Sequence, residues 1–483
     1  MTFNCSNNTI ETVLEHNAMS LFRCYKLTLV MLASIALTGC ASYQAIETTA
    51  IDEQLNLPDS FSLTGQGTAL DKGWLAFEDA QLNLLIEQAL AENFSLRSSF
   101  SRVKKAQAIK KQVNSQRGIN VSAALQSSIF DRRADNSNDS NSQYTGALSA
   151  SYEVDLWGEL EAAYDAADFD YIASQQDYRA AAISLSAEVA TTWYELLAAE
   201  KSLVVYRQQL AVNESILILA QEQFINGVTT ISDSTQQAAQ VASSKAALAN
   251  QKAIVDALRH SLNVLLGNNV NKPLATEVAQ LPSLPPLPAT GIPSAVLTKR
   301  PDIYSQWLEV QSTQQDVAQA IAARYPSLSI GLTTESIVTS AADLFSNWTT
   351  SLLASLVVDL WTGGKNAALV EEKRAAVEEA VNDYSQLLLE AIKETEDALS
   401  NERYIKQRLE HLRQQRELTY QALDQLKTYY INGSSTFTEL LNSLTSAQSL
   451  DIDVIEVNQR LIANRISLYR TLSAGWEMPV HMN

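Results

Sequence analysis

The sequence predicts a mixed, mainly α fold made of two tandem structural repeats, each joining two amphipathic β-strands to one very long α-helix. Three observations carry this expectation. Residues 159–226 and 365–432 run 68 residues each without a glycine or proline. Val154-Asp155-Leu156-Trp157 precedes the first run and Val358-Asp359-Leu360-Trp361 the second, while Ile225-Asn226-Gly227 closes one and Ile431-Asn432-Gly433 the other. Such self-similarity marks a duplicated unit. Ahead of each run the apolar period changes from 3.6 to 2, which exchanges helix for strand. At 1.5 Å per residue each helix is roughly 100 Å long, more than a compact domain of this size encloses.

The composition narrows the class. Of 483 residues, 46% are hydrophobic and 18% charged, with 15 glycines and 10 prolines, which fits neither a disordered chain nor a polytopic helical membrane protein. No run of 18 apolar residues follows position 40, so no spanning helix is expected. The net charge of −19 argues against nucleic acid, whose binding needs basic patches, and suits a surface or pore that attracts cations.

Residues 1–39 read as a signal peptide: Arg23 and Lys26, an apolar run over 27–37, then Thr38-Gly39-Cys40. The run is too short to span as a helix and fits a secretory signal. Residues 1–18 have the character of an upstream extension from a mis-set start codon. Leu37-Thr38-Gly39-Cys40 resembles a lipobox, which makes Cys40 the acylated first residue of a mature chain; an ordinary signal peptide with a chance cysteine is the competing reading. Cys5 and Cys24 fall in the removed segment, leaving Cys40 without a disulfide partner.

After a polar, lipidated segment at 40–73, repeat 1 occupies 74–267. Residues 74–117 lack glycine and proline and predict one long helix, with Leu82, Leu85, Ile86, Ala89 and Leu90 at helical spacing. Strands follow at 119–130 and 143–154, each with one apolar face, joined by a polar stretch at 131–142 that reads as an exposed hairpin loop. Helices are expected at 157–226 and 232–266, turning at Gly227, a left-handed cap. Residues 268–292 form a proline-rich crossover. Repeat 2 spans 293–475, with a first helix, strands at 326–338 and 347–358, and helices at 362–432 and 436–474 that turn at Gly433; 476–483 is a tail. Val189, Leu196, Leu203, Leu210, Leu217 and Phe224 are spaced by sevens, a coiled-coil packing seam. The return helices are shorter than the long ones, so other helices must stack end to end with them.

Strands of about 10–12 residues suit a tilted crossing of a bilayer, although a half-buried soluble sheet has the same alternation. Four strands leave open edges that hydrocarbon does not tolerate. Two copies give eight strands, a filled interior; three give twelve and leave a lumen. Glu153 and Glu335 both fall in the polar register, as a watery interior requires.

The run Ser151-Tyr152-Glu153-Val154-Asp155-Leu156-Trp157-Gly158 resembles the hallmark that opens the long helix in TolC-like outer-membrane efflux proteins, in the lipoprotein branch similar to OprM and NodT. Leu85-Ile86-Glu87-Gln88-Ala89-Leu90, Gly291-Ile292-Pro293-Ser294, Lys299-Arg300-Pro301-Asp302-Ile303, and Leu468-Tyr469-Arg470 with Gly475-Trp476 resemble further motifs of that family. The resemblance implies a homotrimer with a twelve-stranded β-barrel in the outer membrane and an α-helical barrel crossing the periplasm. It also implies a periplasmic adaptor at the helical tips and an inner-membrane pump of the RND type. Such a duct passes small molecules unchanged. Asp233 stands at the position of an acidic residue near the family's periplasmic gate, whereas Asn442 stands where an aspartate is common. For Asp233 the competing role is a first-turn acid at a helix N-terminus.

Catalysis finds little support. His260, His411 and His481 are far apart, and no metal-ligand spacing, phosphate loop or nucleophile elbow is present. No cofactor is expected beyond the lipid on Cys40. Two other classes compete with an exit duct for drugs or toxic compounds: a lipid-anchored coiled-coil spacer of the envelope, and the outer-membrane component of a type I protein secretion system.

Overall fold

The structure, a computed structural model, describes residues 55, 57–66, 72–134, 137–274, 281–291, 293 and 299–473, without the side chains of 130–141. The signal at 1–39, Cys40, much of 40–73 and the 476–483 tail lie outside the described residues.

Repeat 1 opens with a 3-10 turn, Gly73–Phe77, and then two helices, α1 (Ala80–Glu92) and α2 (Phe94–Ser115), where the sequence predicts one. The break falls on Asn93, which leaves the helical conformation at ψ 125°. Its side-chain oxygen accepts from the Leu96 N–H at 2.9 Å and its Nδ2 donates to the Leu265 carbonyl at 2.9 Å. One side chain thus caps a new helix and ties it to a distant one, so no glycine or proline is needed to interrupt the run. Gly267, at φ +70°, closes on the same point; a Cβ there would lie 2.5 Å from the Glu92 carbonyl oxygen. Asn93→Ala is expected to lower stability by about 1–2 kcal/mol, read as a fall in the urea midpoint in detergent; an unchanged midpoint would show that the break is not held by this side chain.

The remaining elements of repeat 1 are β1 (Asn120–Ala134), β2 (Ser137–Val154), α3 (Glu159–Ile225) and α4 (Ile231–Leu265). Repeat 2 comprises α5 (Pro301–Ala322), β3 (Ser327–Val338), β4 (Thr349–Val357), α6 (Lys365–Ile431) and α7 (Phe437–Leu472). Gly227 and Gly433 take φ +74° and +72°. Past them, Val228 N–H bonds the Gln223 carbonyl and Ser434 N–H the Tyr429 carbonyl, each at 2.8 Å, which is how a left-handed cap satisfies the last carbonyls of a helix.

Among the described residues the long helices are lined by shorter ones in series, three along α3 and two along α6. Along α3, α2 meets the upper part through Lys110–Asp168 (2.6 Å) and Phe100–Tyr178. Next comes α1, whose cap Asp79 accepts from Trp193 Nε1 at 2.9 Å; α4 then follows from Arg259–Glu200 down to Gln237–Asn213. Along α6 the order is α5, through Lys373–Asp316 (2.8 Å) and Trp307–Tyr384, then α7, through Arg465–Glu402 and Arg416–Asp451. Helix α3 also packs against α5, which joins the repeats.

The main core lies at the waist of this shaft. Leu82, Ile86, Ala89, Val189, Leu196, Leu262, Leu266 and Ile462 are fully buried there between α1, α3, α4 and α7. Burial along the seven-residue stripe of α3 fades downward: Val189 and Leu196 are buried, Leu203, Leu210 and Leu217 half-buried, and Phe224 exposed. Only part of each seam finds its partner inside one chain.

Candidate functional site: a transport path from tip to sheet

The sheet is antiparallel in the order β1-β2-β3-β4, with both outer edges open among the described residues. Its register sets Glu153 opposite Ser329, Glu335 opposite Ala147 and Ser149 opposite Thr333, so both glutamates share one face that is chiefly Ser and Thr. Ser149 and Thr333 hydroxyls meet there at 3.3 Å. The other face carries Val121, Leu125, Leu148, Leu332, Leu352 and Leu356, and all are exposed, Leu125 and Leu352 at 75% each. A soluble sheet buries such a face; here nothing among the described residues covers most of it. Ile337, Leu353 and Val357 depart from the pattern, standing on the glutamate face.

The expected loop at 131–142 is a correction. The β1–β2 ladder continues through Arg132↔Asp139 to Ala134↔Ser137. Backbone pairing propagates from the rungs below and does not require an apolar face, so polar composition signalled where the apolar band stops, not where the strands stop.

At the foot of the sheet the Asp155-Leu156-Trp157-Gly158 motif is a joint between strand and helix. Asp155 Oδ2 accepts from the Glu161 N–H at 2.8 Å, and Gly158 takes φ +77° before α3 begins. The Trp157 ring stacks on Tyr325 with centroids 4.9 Å apart, and its Nε1 donates to the Pro326 carbonyl at 2.9 Å. Burial, followed by the nearby Glu153 and Asp155 carboxylates, raises the Glu159 carboxyl above its ordinary range. The Arg300-Pro301-Asp302 motif serves the waist instead. Buried Arg300 donates to Asp302 at 2.6 Å and lies 3.4 Å from Glu394 on α6.

At the far end the two turns are tied together by a Tyr430 O–H bond to Gln223 at 3.1 Å. Asp233 completes a capping box with Thr230, accepting from its N–H at 3.1 Å and its hydroxyl at 3.0 Å. Burial and then the Asp233 charge push the Tyr430 hydroxyl up. Asn442 is exposed on the second turn of α7, where its carbonyl accepts from Ser446. Gly227 and Gly433 form the extreme turns and meet nothing within 4 Å of a Cβ built on them.

Two polar groups escaped the sequence reading. Asn213, Gln237 and Gln448 form a buried amide cluster between α3, α4 and α7, with Asn213 Nδ2 donating to Ser244 at 2.8 Å and Gln237 to the Asn213 carbonyl at 2.8 Å. Arg465, wholly buried, pairs with Glu402 and donates to the Pro285 and Pro286 carbonyls at 2.6 and 3.0 Å. Asn213 lies three residues beyond Leu210 in the apolar seam, a polar residue out of pattern that was the available signal. Among the described residues no group of three His, Cys, Asp or Glu is placed to hold a metal ion, and no described helix is long and apolar enough to cross a membrane.

A sheet with one polar face, one bare apolar face and two open edges, carried on helices roughly 100 Å long, defines a subunit of an outer-membrane channel with a long helical shaft. The chain belongs to the outer membrane efflux protein family, whose pattern it matches over residues 85–268 and 292–474. It is 27% identical over 462 residues to the pyoverdine export outer membrane protein OpmQ of Pseudomonas aeruginosa, covering 92% of this chain and 96% of that protein. It is 26% identical over 458 residues to the cation efflux system protein CusC of Escherichia coli, covering 92% and 97%. Its fold is that of the Campylobacter jejuni CmeC outer membrane channel, with a TM-score of 0.79 at 21% identity over 88% of this chain and 92% of that one. The family is one of efflux channels rather than of enzymes.

Proposed function

We propose that three copies of this chain close into one passive exit duct, a twelve-stranded barrel in the outer membrane continuous with a helical tunnel across the periplasm. The observation that carries this reading is the four-stranded sheet with a bare apolar face and two unpaired edges. In hydrocarbon those edges must pair, and twelve strands is the smallest closed multiple of four that leaves a lumen. Glu153 and Glu335 would then line the barrel interior. The outer-membrane end is anchored, in this reading, by acyl chains on Cys40.

The tips would meet a periplasmic adaptor joined to an inner-membrane transporter of the RND type, with Gly227 and Gly433 at the docking turns and Asp233 and Asn442 at the constriction. The named cargoes of the relatives are different, pyoverdine for OpmQ and cations for CusC. A lumen that selects weakly suits both, and leaves the choice of small molecule to the pump.

Purified trimers in planar bilayers are expected to give discrete, cation-preferring conductance steps, larger in Asp233→Ala than in wild type. Absence of steps across a wide voltage range would favour a structural spacer instead. Equal conductance in Asp233→Ala would leave that residue only its capping role.

A further inference from the structure

The two second strands lead into helices through the same four residues, Val-Asp-Leu-Trp, yet their tryptophans have different surroundings. Trp157 is held by Tyr325 and Pro326, which lead into β3, the strand beside β2. Trp361 follows β4, whose outer edge has no neighbour among the described residues, and is 89% exposed next to Leu360 at 91%. At the opposite edge, Ile119 and Val121 at the start of β1 are exposed at 70% and 62%. Arg117-Gly118-Ile119-Asn120-Val121 leads into β1 as Arg324-Tyr325-Pro326-Ser327-Leu328 leads into β3.

We infer that Trp361 is a clasp between subunits: its indole packs on residues 117–119 of a second copy and its N–H donates to the Ile119 carbonyl there, repeating between chains what Trp157 does within one. The inference rests on the reading that copies join edge to edge. Two further observations favour a second copy over lipid as the occupant. Gly118 stands where the first joint has Tyr325, and a Cβ there would meet only the Ser115 carbonyl, at 3.2 Å, so the backbone is open to an approaching ring. Arg117 pairs with Glu161, and its guanidinium lies 5.0 Å from the Tyr164 ring centroid, which holds the segment in place.

The registers agree as well. Val154 pairs with Leu328 across β2–β3; carried over to the outer edges, that rung sets Val358 opposite Val121 and Val357 opposite Ser122. Val357 and Ser122 both lie on the glutamate face, so apolar meets apolar, whereas a slip of one residue would turn every side chain to the wrong face.

Photocross-linking tests this on the full-length chain in outer membranes, with p-benzoylphenylalanine in place of Trp361. Covalent dimers and trimers linked to the peptide spanning 117–121 are expected; adducts with lipid alone, or with another segment, would overturn the clasp. Native mass of the detergent-purified wild type separates the two levels. A monomer would sink the edge-to-edge reading, whereas a trimer without this cross-link would sink only the clasp. Should the photoreactive variant fail to assemble, Val121→Cys with Val358→Cys should give an oxidised ladder at least tenfold stronger than Val121→Cys with Val357→Cys. Adding Trp361→Ala to the first pair should cut that ladder at least fivefold; equal yields in either comparison would refute the proposal.

Discussion

Arg465→Met is expected to cost about 3–5 kcal/mol of stability at pH 7, the range for removing one partner of a buried ion pair, toward the lower end because Lys406 also reaches Glu402 at 2.7 Å. Arg465 is fully buried and Glu402 nearly so. The variant strands the carboxylate and frees the Pro285 and Pro286 carbonyls that pin the crossover to α7. Burial alone would push the Glu402 carboxyl up, but the hydrogen bonds from Arg465 and Lys406 outweigh it and hold it below the ordinary range. A carboxyl depressed by folding stabilises the fold above its unfolded pKa of about 4.3, and that stabilisation is lost as pH falls through the folded value. The gap between wild type and variant should therefore be widest at neutral pH and narrow below about pH 4. Thermal unfolding in detergent at the two pH values measures it. Equal midpoints at pH 7 would show that the pair is incidental.

The two faces of the sheet make an equally sharp contrast. Leu352→Arg places a charge on the bare apolar face, where Leu352 pairs with Leu332, and should cost about 2–4 kcal/mol if it lies near the bilayer midplane. Its yield in the outer-membrane fraction should fall accordingly. Thr333→Arg, opposite Ser149 on the glutamate face, should insert at wild-type yield and reduce cation conductance, because a charge lining a watery pore alters the local potential without a desolvation cost. Normal insertion of Leu352→Arg together with loss of Thr333→Arg would reverse the assignment of lipid and lumen.

The parts of the fold legible in the sequence are those set by local chemistry. The long helices end within a few residues of expectation because Gly227 and Gly433 are the nearest residues that adopt positive φ freely, and the parity of all four strands follows from side-chain alternation. The break at Asn93 was hidden because its cause is Leu265, 172 positions away. Arg465 and Glu402 are 63 apart and each sits in a helix rich in solvated charges, so nothing local marks them as buried. At the tips, Asp233 was legible as a cap, while the Tyr430–Gln223 tie between repeats depends on how the two turns come together. The bare apolar face was legible as amphipathic but not as uncovered, since the same alternation serves a soluble sheet.

The ion pairs between the upper helices have a consequence for how duplicated halves find their own partners. In repeat 1 the lysine is on the short helix and the aspartate on the long one, Lys110–Asp168; in repeat 2 the order is reversed, Asp316–Lys373. Each bridge is partly exposed, so it adds little to stability. On α6, however, α2 in the place of α5 would set Lys110 against Lys373, whereas α3 packs natively against both short helices. The two short helices, alike by descent, therefore carry opposite charges, and on α6 the wrong one is disfavoured by repulsion more than the right one is favoured by attraction.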